Sequence, residues 1–272
     1  MSVTNNRRVR AEQHAPGGAE MVWAEPTERR VRVFFGGTAV ADSNDVLVLF
    51  KGSRPPVYYF PLADARAEFF VDSARVEEDP RLGKRTYATL RVAGREATNA
   101  VFRYTAPIPD GPDLSGHVSF EWDAMDGWFE EDEEILRHPR DPYKRVDVLH
   151  SSRHVRVLLG GTVLADSRRP MLLFETGLPV RYYLPKLDVA MERLRPSTTR
   201  TRCPYKGEAV YWDVEIDGTV LRDLVWSYPA PIPELPKVEN LLAFYNEKVD
   251  LEVDGVILER PNTNWSLSGR RV

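Results

Sequence analysis

The residues best equipped for chemistry lie in the C-terminal half of the chain. Cys203, Tyr205 and Lys206 share one short string, Cys203-Pro204-Tyr205-Lys206-Gly207. A thiol beside an ammonium is biased toward the thiolate, and a thiolate is a nucleophile. Glu175 adds a carboxylate that can act as a general base or pair with Lys206. Tyr182, Tyr183, Trp226 and Tyr228 add flat apolar faces with polar tips, the surface a small ligand needs. One reading therefore makes Cys203, Lys206 and Glu175 the catalytic candidates, with Tyr182, Tyr183, Tyr205, Trp226 and Tyr228 binding the ligand. The rival reading is structural. A lone cysteine also serves as a small buried hydrophobe, aromatics alternating on strands also build cores, and a Tyr-Lys-Gly turn can exist only to place its glycine.

Other motifs carry less. His150 and His154 stand four apart, a spacing that metal ligands use on helices, but no third ligand lies nearby and Val155 opens a strand at once, so no metal is expected. Asp213, Glu215 and Asp217 alternate along a strand and read as a solvated face. Leu82-Gly83-Lys84-Arg85-Thr86 has Glu78 where a phosphate loop needs its first glycine. No serine-hydrolase elbow or metalloprotease helix motif occurs. The cofactor question stays open.

Composition narrows the partners. Lys and Arg number 37 against 41 Asp and Glu, a net charge of −4, so no basic field favours nucleic acid. Cys203 is the single cysteine, which fits a reducing cytoplasm and leaves no internal disulfide or multi-cysteine zinc site. No apolar run approaches the ~20 residues that span a bilayer, and residues 1–18 lack the apolar stretch of a secretory signal. The expected partner is a small molecule, with no nucleic acid and no membrane.

These residues need a scaffold, and an internal repeat supplies it. Val31 begins VRVFFGGTAVADS and Val155 begins VRVLLGGTVLADS, 124 residues later. The same offset joins Tyr58-Tyr59 to Tyr182-Tyr183, YTAPIP at 104–109 to YPAPIP at 228–233, and Phe120 to Phe244. Between Val31–Pro61 and Val155–Pro185, 15 of 31 positions are identical without a gap. That is a duplication. Within the second copy, VRVLL and GGTVLADS read as strands around a Gly-Gly turn, MLLFE and VRYYLP as further strands, and AVYWDVEI and VLRDLVWSY as a hairpin turning at Asp217-Gly218. KLDVAMERL has helical spacing and predicts one short helix. The fold expected is mainly β: two tandem small antiparallel domains, each with one short helix. The boundaries are a flexible tail at 1–20, a first repeat at 21–128, a charged connector at 129–154, a second repeat at 155–260 and a tail at 261–272. The connector joins an acidic run bearing Trp122 and Trp128 to a basic, proline-bearing one. A tandem pair can stand in for a homodimer, so the chain is expected to be a monomer or a weak dimer.

ADS at 165–167, PVRYYLP at 179–185, CPYKGEAVYW at 203–212 and WSYPAPIP at 226–233 resemble the domain of unknown function 427 family. The resemblance covers nearly all of 155–255 and, more loosely, 31–128. It implies a β-tent of curved antiparallel sheets, a fold shared with zinc-binding and sulfoxide-reductase proteins whose zinc cysteines are absent here. The family is sometimes labelled nucleotidyltransferase, and no activity carries over. The first copy departs from the pattern: Asp79-Pro80-Arg81-Leu82-Gly83 replaces CPYKG, Lys51 replaces Glu175, and Phe102 replaces Trp226. The asymmetry leads to the expectation of a small-molecule binding or catalytic pocket in the second repeat, with a degenerate first repeat. The alternative is a non-catalytic interaction or scaffold module.

Overall fold

The computed structural model describes residues 21–105 and 111–266; the expected tail at 1–20 and the last residues of the tail at 261–272 lie outside these. The chain divides into two compact units between residues 141 and 142. Each repeats the same plan, one seven-stranded and one four-stranded antiparallel sheet.

In the second unit the large sheet runs, edge to edge, through Val146–His150, Met171–Glu175, Arg181–Leu184, Leu242–Phe244, Thr219–Ser227, Gly207–Ile216 and Leu194–Cys203. The small sheet runs through Thr162–Ser167, Val155–Leu159, Asp250–Val253 and Val256–Ile257. Strand side chains alternate between faces, so neighbours in sequence serve different cores. Leu172, Tyr182, Leu184 and Val225 pack with Val155, Val157 and Leu251 of the small sheet. Leu173, Tyr183, Trp226 and Tyr228 form a separate cluster, covered by Leu235 and Val238. The middle of the large sheet is thus buried on both faces, which is why Met171–Glu175 and Arg181–Leu184 read as mostly apolar runs.

The first unit matches this strand for strand. Its large sheet orders Val22–Thr27, Val46–Lys51, Val57–Pro61, His117–Phe120, Arg95–Tyr104, Gly83–Val92 and Phe70–Asp79. Its small sheet contains Glu133–Glu134, Gly127–Glu130, Val31–Phe35 and Thr38–Ser43. Hydrogen-bond register keeps the 124-residue offset: Leu49 faces Val57, and Leu173 faces Arg181.

Two expectations are corrected. The helix over KLDVAMERL is absent. Two three-residue 3-10 turns, Lys186–Asp188 and Met191–Arg193, flank an extended Val189. Val189 bridges Ala165 and is buried, and Ala190 donates its N–H to the Leu164 carbonyl at 2.9 Å. Bonding to the neighbouring strand replaces the bonds a helix would make along itself. The stretch read as a connector, 129–154, is divided between the units. Phe129 and Glu130 pair with Arg32 and Val31 in the first, and Val146–His150 is an edge strand of the second. Among the described residues no helix is long and apolar enough to cross a membrane.

Candidate functional site

The expected polar cluster of the second repeat does assemble, but its members are largely committed to one another. Glu175 ends the strand Met171–Glu175, and Lys206 sits in the turn that joins Leu194–Cys203 to Gly207–Ile216. Lys206 Nζ donates to Glu175 Oε2 at 2.5 Å, with side chains 9% and 4% exposed. Lys144 Nζ lies 3.0 Å from Glu175 Oε1. Burial pushes the Glu175 carboxyl up, but the charges and hydrogen bonds of Lys206 and then Lys144 outweigh it and leave the group below its ordinary value. Cys203 is partly exposed, its Sγ 3.8 Å from Lys206 Nζ. Tyr205 is also partly exposed, its ring 5.3 Å below Lys144 Nζ.

Gly207 explains the turn. Its φ is +107°, and a Cβ there would meet the Ala230 carbonyl oxygen at 3.1 Å and the Ile232 nitrogen at 3.3 Å. The Pro-rich segment 229–233 packs directly on the glycine, which only a residue without a side chain permits.

The aromatics separate. Tyr183, Trp226 and Tyr228 lie together on the face that carries Lys206, and Trp226 Nε1 donates to Tyr183 Oη at 3.1 Å. Burial raises the phenols of Tyr183 and Tyr228 well above their usual range. Tyr182 points through the sheet into the other core. Adjacent strand residues cannot line one wall, so the five aromatics do not form one lining.

The structure contains an open cleft elsewhere, in the first repeat. Its volume is about 360 Å³, within the range of small-molecule sites. Tyr58, Phe102, Phe120, Trp122 and Trp128 supply aromatic surface; Pro55, Pro56, Val57 and Pro139 supply aliphatic surface; Glu121, Asp123, Arg137 and His138 supply polar groups. Trp122 and Trp128 stack at 4.3 Å, 5° from parallel. Glu121 accepts from Arg85 Nη2 at 2.8 Å, and the Arg85 guanidinium lies 4.1 Å over Phe102. Of these residues, Tyr58, Phe102, Phe120, Trp122 and Trp128 draw notice in the sequence, but nothing there gathers them. The residues that meet come from three separate stretches of the chain, 55–58, 102 and 120–139.

The same place in the second repeat is filled from within. Arg181, at the position of Val57, forms a two-pronged pair with Glu247, at the position of Asp123: Nη1 to Oε2 2.8 Å and Nη2 to Oε1 2.7 Å. Both side chains are buried, 8% and 0% exposed. Thr263 Oγ1 donates to Glu247 at 2.7 Å, and the guanidinium lies 5.7 Å from the ring of Trp226 and 5.3 Å from that of Trp265. Burial raises the Glu247 carboxyl, but hydrogen bonds from Arg181 and Thr263 and the Arg181 charge bring it below its ordinary value.

A pH dependence follows from these two carboxylates. Folded values below the unfolded 4.5 mean that each contributes stability fully above that pH and loses it as pH falls through the folded value. The second repeat is therefore expected to lose stability on acidification from about pH 5 downward, and Glu247→Gln to flatten that dependence. Urea midpoints measured between about pH 6 and pH 3 check this; identical slopes for the variant and the parent would contradict it.

The fold defines a tandem β protein whose two copies differ at equivalent positions, a cleft in the first and a buried ion pair in the second. The family model "Domain of unknown function (DUF427)" matches residues 23–131 and again 147–255, and the chain belongs to this family. No curated protein matches the chain.

Proposed function

We propose that this chain binds a small molecule without transforming it, and that the open cleft of the first repeat receives the ligand. The observation that carries this reading is a reversal of charge between the repeats. In the second, the strand residue Glu175 is the anion and the turn residue Lys206 the cation. In the first, the strand residue Lys51 is the cation and Asp79, the last strand residue before the turn, is the anion, at 2.5 Å. An ion pair that survives with its polarity inverted does the same mechanical work, tying the turn to the strand, but could not do the same chemistry. The polar cluster of the second repeat then serves as a clamp. Fold and site are separable in this way. The single thiol fits a reducing compartment.

A second reading keeps the ligand at the second repeat. It is favoured by Cys203, which is partly exposed and 3.8 Å from Lys206 Nζ. Isothermal titration of the full chain with L-arginine, L-glutamate and inorganic phosphate separates the two. The first reading expects saturable binding of at least one probe that Trp122→Ala weakens about tenfold or more and Cys203→Ser leaves intact. Binding lost in Cys203→Ser and kept in Trp122→Ala would transfer the site to the second repeat, and no binding by any probe would count against both readings.

A further inference from the structure

The geometry points to a guanidinium as the group that the first-repeat cleft takes, an inference that rests on the binding reading above. The second repeat contains the complex already made. There the guanidinium of Arg181 sits among two indoles and is held by both oxygens of Glu247. The first repeat keeps a carboxylate and an indole at the same place; its own Arg85 lies over Phe102 and pairs with Glu121, which leaves Asp123 and Trp122 to receive a guest. Asp123 stands where Glu247 stands: Ala124 and Lys248, the next residues, make the same turn bond to the carbonyls of Glu121 and Tyr245. Phe102 stands for Trp226, and Trp122 adds an indole at the cleft. Val57 replaces Arg181, so no guanidinium enters from the strand.

The charges agree with this assignment. Glu121 is already paired with Arg85. Asp123 is exposed and has no ion pair among the described residues. The cation at the cleft, Arg137, has a partner of its own. An unpaired carboxylate beside aromatic faces suits a flat cation, because a carboxylate accepts two parallel N–H bonds from a guanidinium and an indole stacks on its plane. A point-charge ammonium uses only part of that surface.

A guanidinium could arrive as a free metabolite or as an arginine side chain of a peptide, and titration calorimetry on the full chain distinguishes them. The ligands are L-arginine, its neutral isostere L-citrulline, and an acetylated, amidated tripeptide with arginine at its centre. Arginine or the peptide should bind at least about tenfold more tightly than citrulline, and the tighter of the two identifies the source. Asp123→Asn should weaken that binding about tenfold. Val57→Arg, which carries the second repeat's own plug into the cleft, should abolish it with the far-UV circular dichroism unchanged. Citrulline binding as tightly as arginine, or Asp123→Asn without effect, overturns the assignment. If neither guanidinium ligand binds while L-glutamate or phosphate binds in a Trp122-dependent way, the ligand class falls and the cleft remains a site. If nothing binds, both fall.

Discussion

Arg181→Ala is expected to lower the unfolding free energy of the second repeat by about 3–5 kcal/mol. The size comes from what is left behind. Glu247 has no exposed side-chain surface, and Arg181 supplies two of its hydrogen bonds. Without the guanidinium, the carboxylate must stay buried with Thr263 as its remaining side-chain donor, or take up a proton. The indoles of Trp226 and Trp265 lose the cation near both rings as well. Replacing both partners together is expected to cost much less. Arg181→Met with Glu247→Leu removes the buried charges together and should recover most of the loss, since apolar groups of similar volume pack without a desolvation cost. Urea denaturation followed by circular dichroism measures each variant, with the transition of the second repeat read apart from that of the first. A single substitution costing under about 1 kcal/mol, or a double variant no better than the single, would mean that the pair is not what fills and holds this position.

The repeat and its strands were legible in the sequence because they depend on local signals. The offset of 124 residues keeps the hydrogen-bond register, and Asp217-Gly218 turns the hairpin with both φ angles positive, 48° and 77°. The strand Leu194–Cys203 was not legible. It is an edge strand with Pro196, an unbroken run of threonines and arginines over 198–202, and little buried surface, so neither alternation nor apolar runs mark it. The pairing of Glu175 with Lys206 was open from the residue types. Its structural meaning emerged only with Lys51 and Asp79, where the partner comes from the strand end, three residues before the turn position of Lys206 in the repeat alignment. Grouping Tyr182 with Tyr183 neglected the period of two that the same strand assignment implied. The cleft needed three-dimensional placement, although one clue was available: the repeat alignment sets an apolar Val57 against Arg181, at a position where both copies later offer an acid.

Glu175→Lys tests the clamp most severely. At position 51 of the first repeat a lysine is accommodated because Asp79 faces it. At position 175 an ammonium would meet Lys206 and Lys144 with no carboxylate among them, in a site where the native side chain is 4% exposed. Like charges brought together away from water are expected to cost about 3–5 kcal/mol in the second repeat, comparable to breaking a buried pair. The first repeat also supplies the repair. Adding Cys203→Asp and Lys206→Leu to Glu175→Lys transplants its arrangement, an ammonium on the strand against a carboxylate from the turn. This triple variant should regain more than half of the lost stability by urea denaturation. A tolerated single substitution, or a triple variant as unstable as the single, would show that the charges do not tie turn to strand. The triple variant lacks Cys203, Lys206 and Glu175 together, so it also examines the binding reading. If the second repeat's polar cluster is only a clamp, a probe that binds the first-repeat cleft of the parent should bind the refolded triple variant with the same affinity.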